Sequence, residues 1–329
     1  MCNINKFKLI GFSLIKDKID LILNGVSLNY LAKEREKLTR FYQNNNMGSL
    51  GALSSDHQRL AYIAARLPAT YTSIYKVLKE LIKRSGDDPL TSLLDIGAGP
   101  GASLLATYDI FPNLISATLL ERDPGFIALG KRLTEDFEGI EQTWVCQDVT
   151  QQWKVSPHDL TIASYSLNEL KEKDRFLVVE KMWESTGKFL VIIEPGTKAA
   201  YESLMKIRER LIAQGAFLVA PCPHTNACPL AKEDWCHFSV RVERSSLHRK
   251  TKEASLNYED EKFSYLIFSK SPLPRCQSRI LRRPFKGEGF VKLQLCSDSG
   301  LESKTITRKN KIEYARSKKL EWGDNIIKL

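Results

Sequence analysis

Residues Leu93–Ala106 read LLDIGAGPGASLLA. A strand-length apolar run carries an acid, Asp95, and passes into a turn with glycine at 97, 99 and 101, before small and apolar residues resume at helical spacing. Glycine permits so tight a turn and lets a ligand approach the backbone at the N-terminus of the following helix. Dinucleotide folds also use a glycine loop, so the surrounding residues decide its meaning. The spacing Asp95-x-Gly97-x-Gly99-x-Gly101 is tighter than GxGxxG and favours S-adenosylmethionine over a nicotinamide dinucleotide.

Working outward, Ala117–Leu120 is the next strand, and Glu121 at its end is placed to accept ribose hydroxyls. Asp148, after the strand Thr143–Cys146, is expected near the adenine. Further strands are predicted at Leu160–Ser164 and Phe189–Ile193, with helix-like sequence between them. Short buried strands alternating with helices indicate an α/β fold with a parallel, doubly wound sheet. The order strand, GxGxG, helix, strand, Glu, strand, Asp is the class I (Rossmann-like) methyltransferase layout. Tyr201–Gln214 reads as a helix closed by Gly215, Ala216–Ala220 as a strand, and Phe263–Ser269 as the last strand of the sheet.

Residues 1–88 read as a helical region. Leu60, Ile63, Ala64 and Leu67 form one apolar stripe, and Ile74, Val77, Leu78, Leu81 and Ile82 another, with a break at Pro68. The methyltransferase-like domain is expected over 89–270, with a cysteine-rich insertion at 220–238. A basic, β-rich module follows over 271–329. There Val291, Leu293 and Leu295 alternate with Lys292 and Gln294 in the strand Phe290–Cys296. A turn at 297–300, a second strand at Ser303–Thr307 and a short helix from Asn310 to Leu320 complete it.

The net charge of the 329 residues is +10, and residues 241–329 hold 21 Lys and Arg against 11 Asp and Glu. The C-terminal quarter therefore carries the whole excess, which suits a polyanionic partner; a solvated charged tail is the competing explanation. Lys286, Lys292, Lys304, Arg308, Lys309 and Lys311 are candidates for phosphate contact. No apolar run approaches the roughly 18 residues of a membrane span, so no membrane partner is expected. The first 23 residues lack a signal-peptide cleavage site and contain no Arg, so the chain is expected to start near residue 1 and to work in a cytoplasm.

Methyl transfer needs more than a cofactor pocket. The segment after the fourth strand, Ser164–Leu170 (SYSLNEL), lacks the Asn/Asp-Pro-Pro-aromatic loop of exocyclic-amine methyltransferases. Ile193-Glu194-Pro195-Gly196 lacks the cysteine that ring-carbon methylation uses. Asn168 and Glu169 are suited to orienting a substrate, but capping of the following helix or a local structural role is favoured. Catalytic residues are not legible.

Ala220–Phe238 reads APCPHTNACPLAKEDWCHF and holds three of the seven cysteines. An odd, clustered set points to metal rather than to a disulfide framework. Cys222, Cys228 and Cys236 are spaced C-x5-C-x7-C, without the tight knuckle of structural zinc sites. Two of them precede proline, as in ferredoxin-type iron–sulfur ligands. A cubane cluster accepts looser loops and a distant fourth ligand, for which Cys276 and Cys296 are the candidates. His224 and His237 leave a Cys3His zinc site open. The spacing is not the CxxxCxxC of radical enzymes.

These segments, with ARLPATY (65–71), IIEPGT (192–197), YEDEKFSYL (258–266), GFVKLQLCSDSG and ARSKKLEWGD (315–324), resemble the mitochondrial small-ribosomal-subunit assembly factors of the methyltransferase-like protein seventeen type and their bacterial relatives. The resemblance runs from about residue 50 to the end. It implies a class I methyltransferase fold with S-adenosylmethionine at Asp95–Gly101, and a [4Fe–4S] cluster on Cys222, Cys228, Cys236 and Cys296; Cys276 has no counterpart. It also implies association with the small ribosomal subunit and its rRNA during maturation. The chain is thus expected to be an assembly factor, monomeric off the ribosome, in a bacterial cytoplasm, or in the mitochondrial matrix if eukaryotic. An active rRNA methyltransferase and a zinc-stabilised small-molecule methyltransferase are the alternatives.

Overall fold

The computed structural model describes residues 10–43, 55–86, 88–231, 233–244 and 256–326. They form two compact units, each assembled from segments that are discontinuous in sequence. One draws on 10–79, 88–187 and 240–261, the other on 80–86, 188–239 and 262–326. The N-terminal segment to residue 9 lies outside the described residues, and with it most of the expectation about a leader.

The first unit opens with helices α1 (Ile10–Ile22), α2 (Leu28–Gln43), α3 (Asp56–Ala65) and α4 (Leu67–Ser85), the last of which runs on into the second unit. Ser55 caps α3 by accepting from the Gln58 amide at 3.3 Å. Pro68 sits in the first turn of α4, where its missing N–H leaves no bond unmade. The break expected at Pro68 is therefore real and falls at Arg66.

Strand β1 (Ser92–Ile96), helix α5 (Ala102–Ile110), β2 (Ser116–Glu121), α6 (Pro124–Leu133), β3 (Glu141–Cys146), β4 (His158–Ser164) and α7 (Glu172–Glu184) follow. The four strands are parallel in the order β3-β2-β1-β4. Leu93, Leu94 and Ile96 are fully buried, as a strand covered on both faces requires. The chain steps outward from β1 to β3 and then returns to the other side of β1. That reversal opens a crevice at the carboxyl end of β1, where such sheets bind ligands. The doubly wound α/β layout expected from the sequence is present.

The second unit holds most of β5 (Thr186–Pro195), then α8 (Lys198–Ala213) and β6 (Phe217–Ala220). β7 (Phe238–Glu243) and β8 (Tyr258–Ser269) each straddle the two sets of residues. β8 lies between β5 and β6, antiparallel to both. The cysteine-rich segment falls between β6 and β8, as the sequence indicates, and β7, which the sequence did not lead one to expect, follows it and pairs with β8. Its sequence, FSVRVE, alternates apolar and polar residues, which is the ordinary signature of a half-buried strand.

The unit ends in a five-stranded antiparallel sheet of β9 (Ser278–Ile280), β10 (Phe285–Gly287), β11 (Phe290–Ser297), β12 (Gly300–Thr307) and β13 (Asn325–Ile326), with α9 (Lys311–Ser317) before the last strand. β11 pairs with β12 along one edge and with β10 and β9 along the other. Ile280, Val291, Leu293, Leu295, Ile306 and Ile326 form its core, with Tyr314 and Leu320 packed against it. The strands β11 and β12 and the helix match the sequence expectation. β9, β10 and β13 are two or three residues long, too short to show periodicity.

Candidate functional site

Two sites arise, one in each unit. In the first, Gly97, Gly99 and Gly101 all adopt positive φ, at 69°, 54° and 87°. The amides of Gly97 and Ala98 donate to the Leu120 carbonyl at 2.9 and 3.0 Å, clipping the loop to the end of β2. A Cβ at Gly97 would lie 2.6 Å from Ser166 Cβ, and one at Gly101 3.1 Å from the Trp144 ring. At Gly99 a Cβ would meet nothing within 4 Å, so the middle of the loop faces open space.

Asp95 is fully buried, and neither carboxylate oxygen has a hydrogen bond of good geometry among the described residues. Burial pushes its carboxyl up to about 8, with the Ser103 hydroxyl opposing and the Glu121 charge adding. Glu121 accepts from the Gly99 amide through Oε2 and from the Asp123 amide through Oε1, both at 2.8 Å. Burial raises its carboxyl, and those two amides pull it partly back. Asp148 closes its own turn, accepting from the Thr150 amide and hydroxyl at 2.9 and 2.7 Å. Burial pushes Asp148 upward, but the Thr150 bonds outweigh it and leave the carboxyl below its ordinary value. The structure thus joins the glycine loop to Glu121 directly, while Asp148 is engaged locally.

The segment after β4 holds residues whose importance the sequence did not reveal. Tyr165 has φ 56°, alone among the described non-glycine residues in the left-handed region. Its hydroxyl lies 3.1 Å from Ser73 Oγ and 3.2 Å from Glu261 Oε1, and Arg66 grips the same Glu261 at 3.1 and 3.3 Å. Backbone strain of this kind persists only where the surroundings hold it, and it gathers at ligand crevices. Asn168 and Glu169 do not cap α7, whose N-cap is Lys171; they belong to a single 3-10 turn, Leu167–Glu169. Burial pushes the Glu169 carboxyl up to about 7, with Arg122, 4.0 Å away, opposing.

In the second unit, Cys222, Cys228, Cys236 and Cys296 line one cavity, together with His224, Arg279 and Tyr201. Cys276 does not line it; its thiol faces the Pro221 carbonyl at 3.8 Å and Arg279 at 3.7 Å. His224 Nε2 is 3.4 Å from Cys296 Sγ. His237 packs against Trp235 and Trp322, with ring centroids 5.2 and 5.0 Å away, and is not a wall of the cavity.

Arginines hold the cysteine-rich backbone in place. Arg208, 2% exposed, donates to the carbonyls of His224 and Asn226 at 2.8 and 2.9 Å. Arg275 donates to Pro223 at 3.1 Å and Arg279 to Pro221 at 2.9 Å. A loop without secondary structure thereby satisfies its buried carbonyls. Burial raises the Cys222 thiol, with Arg208 opposing. Cys236 lies well above the ordinary thiol value, first from burial and then from the Cys222, Cys228 and Cys296 sulfurs; burial and its sulfur neighbours push Cys296 up to about 12. The four sulfurs are within electrostatic reach of one another, yet no three His, Cys, Asp or Glu among the described residues are disposed to hold a single metal ion.

Of the basic candidates, Lys304 pairs with Glu313 at 2.8 Å. Lys286, Lys292, Arg308, Lys309 and Lys311 are exposed.

A family model described as mitochondrial small ribosomal subunit Rsm22 matches residues 56–327. The human protein named Ribosome assembly protein METTL17, mitochondrial, is 30% identical over 292 residues, covering 80% of this chain and 61% of that protein. Rsm22-cox11 tandem protein 2, mitochondrial, of Schizosaccharomyces pombe is 25% identical over 363 residues, covering 94% of this chain and 48% of that one. The chain thus spans about half to three fifths of the length of these curated relatives. Among solved structures, magnesium protoporphyrin IX methyltransferase from Synechocystis PCC 6803 with bound SAM is 14% identical at a TM-score of 0.40, covering 75% of this chain and 100% of that one. The class I methyltransferase fold rests on the strand order and the glycine loop described above. With the family model spanning the chain from α3 to β13, this protein belongs to the Rsm22 family of mitochondrial small ribosomal subunit proteins.

Proposed function

We propose that this chain is an assembly factor of the small ribosomal subunit, with S-adenosylmethionine held at the glycine loop and a [4Fe–4S] cluster in the cysteine cavity. The observation that carries this reading is that the four expected cysteines, three from one irregular segment and one from β11, line a single cavity while Cys276 lies outside it. The names of the curated relatives, ribosome assembly proteins of mitochondria, supply the biological context.

Soft thiolates around a cavity suit an iron–sulfur cluster. When bound, the cluster supplies a rigid four-thiolate cross-link; Arg208 and Arg279 hold the loop that presents three of its ligands. For S-adenosylmethionine the fit rests on three features: the orphaned buried Asp95, the open space at Gly99 and the loop fastened to Glu121. That cofactor would bring a transferable methyl group. Asp95 and Glu121 would orient it, and Ser166 would fix the loop.

The rRNA is bound through the basic module by phosphate contacts, which weaken with salt. In a eukaryote the site of action is the mitochondrial matrix, and in a bacterium the cytoplasm. Anaerobically purified protein should be brown, contain four iron and four sulfide per chain, and co-sediment with immature small-subunit particles. A colourless protein with stoichiometric zinc, or one that ignores the particles, would refute the corresponding half of the reading. An active rRNA methyltransferase is favoured by the strained Tyr165 beside the crevice. It displaces the assembly role if Asp95→Ala abolishes an rRNA methylation and leaves particle binding intact.

A further inference from the structure

The antiparallel register of β10, β11 and β12 sorts their side chains onto two faces. Val291, Leu293, Leu295 and Ile306 point into the module's core. Directly opposed residues share a face, so the outer face consists of rows. Gly287, Phe290 and Thr307 form one; Phe285, Lys292 and Thr305 the next; Gln294 and Ser303 a third. Phe285 is 63% exposed, at the β10 end of a row whose other members are Lys292 and Thr305. A Cβ at Gly287 would lie 2.5 Å from the Phe290 ring, so this glycine lets that ring lie across the sheet. The two rings sit with centroids 5.8 Å apart and an interplanar angle of 37°. Arg308 flanks the β10–β11 turn at Gly289, and among the described residues of the three rows there is no carboxylate; the nearest in sequence are Glu288, in the turn, and Glu302, opposite Leu295 in the register.

An exposed aromatic ring beside a half-buried one, a lysine between Phe285 and Thr305, and fourteen Lys and Arg against six Asp and Glu over residues 271–329 define the partner chemistry. A polyanion with exposed flat faces satisfies all three; a duplex buries those faces in its own stack and leaves the rings without a partner. We infer that the outer face of β10–β11–β12 is a stacking platform for unpaired RNA bases, with Phe285 and Phe290 carrying the bases and Lys292 and Arg308 the phosphates. This rests on the reading that the chain binds RNA and narrows it to single-stranded segments.

The test measures fluorescence anisotropy of the full chain with a labelled short oligouridylate and with an RNA duplex of equal length, across a salt series. The wild-type protein should prefer the single strand. Phe285→Ala should weaken that binding by about ten-fold, within the range for one lost base stack, and leave the salt slope unchanged. Phe285→Trp should retain binding. Lys292→Gln should lower the slope of log affinity against log salt by about 0.7. Phe285 is exposed, so its truncation leaves the core intact; Phe290→Ala, checked by thermal melting, provides a second variant. Equal affinity for duplex and single strand, or a Phe285→Ala protein that binds like wild type, overturns the platform while leaving RNA binding standing. A wild-type protein that binds neither RNA, yet joins small-subunit particles through a protein component, overturns the platform and the rRNA reading together.

Discussion

Arg279 Nη2 lies 2.9 Å from Glu80 Oε1, with the arginine side chain 2% exposed and the carboxylate 9%. The two residues are 199 positions apart in the chain. Asn325 Nδ2 donates to the same carboxylate at 3.0 Å, Arg84 lies 3.1 Å away, and Arg279 Nη1 donates to Gly323 O at 2.8 Å. One buried carboxylate from the end of α4 thus anchors the arginine that walls the cysteine cavity and the strand that closes the unit.

Removing Glu80 leaves Arg279 buried and uncompensated. Glu80→Ala should therefore cost about 3–5 kcal/mol of unfolding free energy, read as a shift of the urea midpoint. The pair also sets a pH dependence. Burial pushes the Glu80 carboxyl upward, but Arg279 and its other partners outweigh this and hold it below its ordinary value. Its contribution is present above the unfolded carboxylate value of about 4.3 and is lost as pH falls through the lower folded value. The stability gap between wild type and Glu80→Gln should be full at pH 7 and shrink below about pH 4.

Asp95 gives the opposite sign. Its folded pKa of about 8 exceeds the unfolded value, so the native state holds the proton more tightly and loses stability as pH rises across that interval. Asp95→Asn should melt at a higher temperature than wild type at pH 8.5, with a much smaller difference at pH 4. The same variant should lose S-adenosylmethionine binding by calorimetry. A variant that is stabilised at neither pH would mean that the carboxylate is satisfied in solution.

The cavity separates two cysteines that the sequence left as rivals. Cys296→Ser should lose most of its iron and acid-labile sulfide, whereas Cys276→Ser, altered outside the cavity, should keep both. Iron and sulfide assays on anaerobic preparations decide between them, and the reverse ranking would reassign the fourth ligand.

Gly97 combines a φ of 69° with a Cβ position 2.6 Å from Ser166 Cβ. Gly97→Ala should destabilise the protein by more than about 1 kcal/mol and weaken S-adenosylmethionine binding. Ser166→Gly in the same background should recover part of the loss by relieving the contact, though not the backbone strain. Thermal melts of the two single variants and the double variant measure that coupling.

The parallel half of the sheet was readable because its signals are local: Leu93, Leu94 and Ile96 mark a short apolar strand, and Asp95 through Gly101 has a spacing that few other loops need. The cysteine cavity was half legible. Three cysteines share a short segment, but the choice between Cys276 and Cys296 depends on which side of β9 and β11 each occupies, and no spacing rule carries that. The strain at Tyr165 left no trace, because nothing local in SYSLNEL marks a positive φ and the partners of its hydroxyl, Ser73 and Glu261, are both remote in sequence. Phe285 and Phe290 read as ordinary apolar residues until the register with Lys292 placed them on the solvent face.

The discontinuity of the two units sets an order of events during synthesis. Once residue 261 has emerged, the glycine-loop unit has all its segments. The other must keep Glu80 and the three clustered cysteines waiting for β9, β11 and finally β13. Through that interval its cysteines lack the strands that complete their cavity. Nascent chains stalled before Cys296 should therefore hold Cys222, Cys228 and Cys236 more reactive than in the finished unit, where they are half-buried.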